Sequence, residues 1–165
     1  MAIHLLKIDF RALKMPLPEP VAQAGAWSIF ARCDEPDEAA CEVFRQILAM
    51  PDKRDQKASL AALRKLIQVA ASGHPLTSFY DKKQCHEAHR FNYQGKERTI
   101  WRIWQGDIRL AFYYGEGKII FLTQAFAKRE DKLSKQQKTA LETEAKCFID
   151  AEAAGTLAPF TASAT

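Results

Sequence analysis

Residues 99–126 read TIWRIWQGDIRLAFYYGEGKIIFLTQAF. Three β-prone runs, rich in aromatic and branched side chains, are separated by Gln105-Gly106-Asp107 and Gly115-Glu116-Gly117. Short glycine-bearing separators between such runs predict an antiparallel meander with strands at about 98–105, 108–114 and 118–126. Side chains alternate along a strand, so parity assigns faces. Ile108, Leu110, Phe112 and Tyr114 share a face that reads as core, and Arg109, Ala111 and Tyr113 lie opposite. On the preceding strand Ile100, Arg102 and Trp104 share one face, and Trp101 and Ile103 the other. If register places Arg102 beside Arg109, two guanidiniums and the Tyr113 hydroxyl share an open, solvated face, as an antiparallel sheet permits. Burying an isolated arginine is costly, so these two are expected to reach water, an anion, or a carboxylate such as Asp107 or Glu116.

Working outward, AWSIFARC (26–33) is a further β-prone run, and an optional first strand lies near Ile3–Phe10. Pro16, Pro18 and Pro20 then interrupt regular structure. A helix is expected from about Pro36, with Cys41, Phe44, Ile47 and Leu48 as its apolar stripe, ended by Pro51. A second follows at about Gln56–Ser72, carrying Leu60, Leu63, Ile67 and Ala70, with Gly73 suited to its C-terminal cap. The two suggest an antiparallel hairpin. Residues 74–96 read as a polar, basic connection. A last helix starts near Ser134, whose spacing to Gln137 is that of a capping box. Leu141, Ala145, Phe148 and Ile149 supply its stripe, and Gly155 ends it. The expected architecture is α+β: a twisted antiparallel sheet of about four strands, with the two-helix hairpin and the C-terminal helix on one face. Residues 1–26 form an extension or linker, 27–152 the domain, and 153–165 a disordered tail.

Composition narrows the function classes. The hydrophobic fraction is 47%, ordinary for a globular chain. No apolar run approaches the roughly 18 residues of a membrane helix. The N-terminus lacks the uninterrupted apolar centre of a signal peptide. Cys33, Cys41, Cys85 and Cys147 are widely spaced, which suits a reducing cytoplasm. The net charge is +4, and residues 82–138 alone carry an excess of positive charge, coinciding with the meander. Such a field attracts polyanions, nucleic acid first among them.

Within KKQCHEAHRFNYQGKER (82–98), Cys85, His86 and His89 raise the question of a metal. A fourth ligand near in sequence is missing, and tetrahedral sites normally need four, so no metal is expected. The segment reads instead as a surface facing RNA, with Lys82, Lys83 and Arg90 touching phosphates. His86 and His89 are candidates for RNA contact, or for acid–base work near neutral pH.

Three pieces in order carry a family resemblance: ALRKLIQVAASGHPL (62–76), the run WRIWQGDIRLAFYYGEGKIIFLTQAF, and FAKREDKLSKQQKTALETEA (126–145). Together they resemble the RelE/ParE toxin superfamily of bacterial toxin–antitoxin systems, in its phage-derived Gp49-like, HigB-like branch. The likeness covers about 27–150; the 26 residues before it and the tail are unmatched. It implies a RelE-like fold and a cytoplasmic, metal- and cofactor-independent endoribonuclease that cuts messenger RNA on the ribosome. It further implies a cognate antitoxin, of helix-turn-helix type. By matching position Arg109 is the central catalytic arginine, with Arg102 and Lys128 or Arg129 beside it, Tyr113 orienting or stacking on a base, and Lys132 on RNA. The alternatives are a non-catalytic module of the same fold inhibiting DNA gyrase or another protein, and an inactive phage remnant.

The chemistry suits these residue types. When a ribose 2′-hydroxyl attacks the adjacent phosphorus, arginine's planar fork can hold the phosphate oxygens bidentately without losing its charge. A lysine among arginines is driven toward its neutral form, which makes Lys128 a candidate base.

Overall fold

The computed structural model describes residues 2–16, 18–128 and 133–163. Its strands are β1 (Ile3–Lys7), β2 (Ser28–Cys33), β3 (Cys85–Tyr93), β4 (Lys96–Gln105), β5 (Ile108–Gly115), β6 (Ile119–Ala127) and β7 (Leu157–Phe160). Its helices are α1 (Glu42–Leu48), α2 (Lys53–Ala71) and α3 (Lys135–Ala154).

The described strands form one seven-stranded sheet in the order β3-β4-β5-β6-β2-β1-β7. β3 to β6 are an antiparallel meander. β2 then joins β6 in parallel, β1 pairs antiparallel with β2, and β7 lies parallel to β1. The expected RelE-like sheet of about four strands is therefore corrected to a larger, mixed sheet. The three hairpin strands lie where the turn chemistry puts them. What the sequence hides is the sheet's margins. CHEAHRFNY is β3, an edge strand whose outward residues are charged, so it reads as a loop. LAPF is β7, where Pro159 is tolerated because the strand lies at the other edge; residues 157–160 are thus ordered rather than part of a loose tail.

The helices also do not share a face. α1 and α2 cover one side of the sheet, where Ile47, Leu63, Leu66 and Ile67 pack with Ile103, Leu110, Phe112 and Leu122. α3 covers the other, laying Leu141, Ala145, Phe148 and Ile149 over Ile100, Ala111, Tyr113 and Phe121. Parity grouped the residues within β4 and within β5, and register joins Arg102 to the side of Ala111, but the side opposite Leu110 and Phe112 is not open.

α1 begins later than expected. A short 3-10 turn at Glu38–Ala40 precedes it, and Cys41 is extended, bridging Cys33 at the end of β2. Val43 and Ile47 become the buried positions, and Leu48 is left 74% exposed. α3 starts with a complete capping box: the Ser134 side chain accepts from the Gln137 amide, and the Gln137 side chain accepts from that of Ser134. Gly155 ends it at φ 70°, in the left-handed region. Phe148 stacks on Phe121 with centroids 4.6 Å apart. Its ring also sits over Gly115, where a Cβ would lie 2.7 Å from the ring's Cζ. Among the described residues, no helix is long and apolar enough to cross a membrane.

Candidate functional site

The α3-facing side of the meander is apolar only beneath that helix. Toward the β4–β5 turn the same side carries Arg102, Trp104 and Arg109. Register places Arg102 opposite Ala111, and Trp104 opposite Arg109. The two guanidiniums therefore approach one indole from adjacent positions. Arg109 Cζ lies 4.0 Å and Arg102 Cζ 5.0 Å from the Trp104 ring, within the range of cation–π attraction. Both arginines are 5% exposed. Arg109 is fixed by its own turn: Nη1 donates to the carbonyls of Gly106 at 2.7 Å and Ile108 at 3.2 Å. Lys128 follows the end of β6, and its amide donates to the Asp107 carbonyl of that same turn at 2.8 Å. Its side chain is buried at this end of the sheet.

β3 brings a fourth cationic or polar group. His86 is opposite Arg102 in register. Its Nε2 is 3.2 Å from Arg102 Nη2, its Nδ1 is 3.1 Å from the Lys83 carbonyl oxygen, and its ring meets Trp104 edge-on at 5.1 Å. Burial, then the charges of Arg102 and Arg109, hold His86 below the ordinary histidine value, although the Lys83 contact opposes the shift. The site therefore favours the neutral imidazole. His86 and Trp104 are only half-buried, while Arg102, Arg109 and Lys128 lie deeper. The indole Nε1 is buried and meets no acceptor among the described residues.

Arg102, Arg109, Lys128 and His86 are thus gathered at one corner of the sheet. Arg129 and Lys132 lie outside the described residues. Tyr113 shares the side but not the corner. Its hydroxyl accepts from Arg98 Nη1 at 3.1 Å, and its ring meets Phe148 edge-on under α3. It stands four residues from Arg109 along β5, on the order of 13 Å at the rise of a strand.

The remaining candidates lie around β3. Lys82 and Lys83 are exposed in the turn before it. Arg90 is exposed but engaged with Glu87 and Glu97, so a phosphate there would compete with two carboxylates. His89 reaches α3, with Nε2 2.6 Å from Glu142 Oε1. A register shift between Glu87 and His89 keeps His86 and His89 on the same side despite their odd spacing. Cys85 faces the α1–α2 core, and burial pushes its thiol up to about 11. It therefore lies across the sheet from the two histidines and cannot share a metal with them. Sequence reasoning gave Trp104 no role. The signal was there, since parity already put it on one face with Arg102, and guanidiniums stack on aromatic faces.

The corner can do two things chemically. Guanidiniums held over an aromatic ring are preorganised donors for phosphate oxygens. A neutral imidazole in contact with one of them can take a proton near neutral pH. Comparison with protein-family models, with curated proteins and with solved structures returns no match for the chain.

Proposed function

We propose that this protein is a metal-independent endoribonuclease that cuts messenger RNA on the ribosome, acting as the toxin of a toxin–antitoxin pair in the cytoplasm. The observation that carries this reading is the convergence of Arg102 and Arg109 from adjacent strands onto the Trp104 ring, at 5.0 and 4.0 Å. In this reading the guanidiniums take the non-bridging oxygens of the scissile phosphate and offset the extra charge that builds on them as the 2′-oxygen attacks. Preorganised donors of this kind are worth roughly 3–4 kcal/mol each in the barrier. Lys128 adds charge to the same corner. Lys82 and Lys83 bear on the flanking backbone, and an antitoxin of helix-turn-helix type would cover this end of the sheet. The positive excess of residues 82–138 supports a polyanionic substrate.

The test is induced expression in a bacterial host, followed by primer extension on cellular messenger RNA. Growth arrest with discrete new 5′ ends is expected, and both should vanish in Arg109→Gln while circular dichroism reports an intact fold. Arrest with uncut messenger RNA overturns the proposal, and a DNA-damage response without cuts would point to inhibition of gyrase instead.

A further inference from the structure

Among Arg102, Arg109, Lys128 and His86, the least buried is His86, and its hydrogen bonds define its tautomer. A carbonyl only accepts and a guanidinium only donates. The 3.1 Å contact with the Lys83 oxygen therefore puts the proton on Nδ1, and the 3.2 Å contact with Arg102 Nη2 makes Nε2 the acceptor. In this state the basic nitrogen is occupied by the very guanidinium that would hold a phosphate. We propose that His86 is the general base of this site and that the bound phosphodiester itself switches it on, by drawing the Arg102 fork away from Nε2 and onto its own oxygens.

The inference rests on the ribonuclease reading and adds a proton path to it. With Nε2 released, the 2′-hydroxyl gives its proton to that nitrogen while its oxygen attacks phosphorus. The bond from phosphorus to the 5′-oxygen breaks, and the leaving oxygen takes a proton from water. The products are a 2′,3′-cyclic phosphate and a 5′-hydroxyl, and the imidazolium returns its proton to the hydroxide. The electrostatics run the same way. Among the described residues, the charged groups that face His86 are Arg102 from β4 and Arg109 from β5, with the Lys83 carbonyl on its own turn and the neutral Trp104 ring beside it. Without substrate, both guanidiniums oppose a charge on the ring. A phosphate on those guanidiniums brings an anion to the same place, so the imidazolium, disfavoured in the empty site, becomes more favourable when substrate is present. Binding and proton uptake are then coupled.

The decisive experiment is an NMR titration of the histidine Cε1–Hε1 signals in the full chain, with His86→Gln assigning the resonance. Two probes are used: an uncleavable 2′-O-methyl RNA oligonucleotide and inorganic phosphate. The pKa of His86 should rise by about one unit on saturation, as expected when an opposite charge arrives within a few ångströms. A rise with inorganic phosphate and no oligonucleotide binding would sustain the anion coupling and sink the RNA reading. An unchanged or lowered His86 pKa with either probe bound, or no binding of either, overturns the inference. In cleavage assays His86→Gln should lower kcat by ~100-fold or more with KM little changed, and abolish the acid limb of the rate–pH profile. A rate that falls only through KM, with the limb intact, would reduce His86 to a binding residue.

Discussion

The side of the sheet that faces α3 has two ends built on the same strands. Ile100, Ala111 and Phe121 are fully buried under Phe148 and Leu141. One step of the pleat away, Arg102 and Arg109 are almost as completely covered, at 5% exposure each. Alternation along β4 and β5 is unbroken between the two ends, and burial does not tell them apart. What differs is the covering. Over the first end lies the apolar stripe of a helix. At the second both arginines lie over one indole, Arg109 also donating to the carbonyls of its turn, beside a half-buried histidine. In the ribonuclease reading proposed above the two ends do different work: one holds the fold, and the other holds charge where a phosphate can meet it.

The sharpest way to break that division is to compare two truncations. Phe148→Ala removes the ring that stacks on Phe121 and closes over Gly115. It should cost about 3–5 kcal/mol, lowering the thermal midpoint by roughly 10 °C in a chain of this length, with residual activity in the folded fraction unaltered. Arg109→Gln should do the reverse, with cleavage down about 10²–10³-fold and a smaller change in midpoint. Thermal circular dichroism and single-turnover cleavage on the same preparations give both numbers. If Arg109→Gln unfolds the protein as readily as Phe148→Ala and leaves cleavage untouched in the folded fraction, the arginine end is structural and the division fails.

The sequence made this contrast only half visible. The hairpin strands were legible because glycine-bearing turns punctuate aromatic runs. Parity separated Arg109 from Leu110 along one strand, while the placing of Arg102 beside Arg109 hung on register. α3 was legible from the Ser134–Gln137 box, its apolar stripe and Gly155. Which part of a sheet side a helix covers is a tertiary fact, and nothing local to Ile100 or Arg102 encodes it. β3 was lost for a related reason. As an edge strand it carries Glu87 and Arg90 outward, so its hydrophobic period is too weak to separate from a loop. With β3 unread, His86 was a residue in a basic segment, and its place opposite Arg102 could not be seen.

A gentler perturbation tests whether the position of α3 fixes the boundary. Ser134→Ala removes the side-chain oxygen that accepts from the Gln137 amide at 3.1 Å. The expected loss is about 1 kcal/mol, or roughly 2–4 °C in midpoint. The first turn of α3 follows directly on the segment leading from Lys128, so fraying there should speed amide exchange at the start of α3 and leave the Phe148 turn protected. Uniform loss of protection along the helix would mean that α3 behaves as one unit and that its cap does not set the edge of the apolar end.

The smallest expected effect lies in the acid stability limb, and it separates the two ends without removing any packing. His86 has its folded value held below the ordinary 6.5 by burial and by Arg102 and Arg109. Below pH 6.5 the unfolded chain therefore binds a proton at this position more readily than the folded one does. Stability contributed by neutral His86 is fully present above about pH 6.5 and is lost as pH falls through the folded value. Asp34 acts at lower pH: hydrogen bonds from Arg45 and Arg32 depress its value, so its contribution persists until its folded value is reached, below the ordinary carboxylate range. His86→Gln should consequently flatten the upper part of the acid limb and leave the lower part in place. Adding phosphate to the native protein should flatten the upper part too, because an anion on Arg102 removes the penalty on the imidazolium. The native and His86→Gln curves should then converge in phosphate but not in chloride at equal ionic strength. Convergence in both salts would make the effect plain screening, and the cationic end would lose its claim to a specific anion.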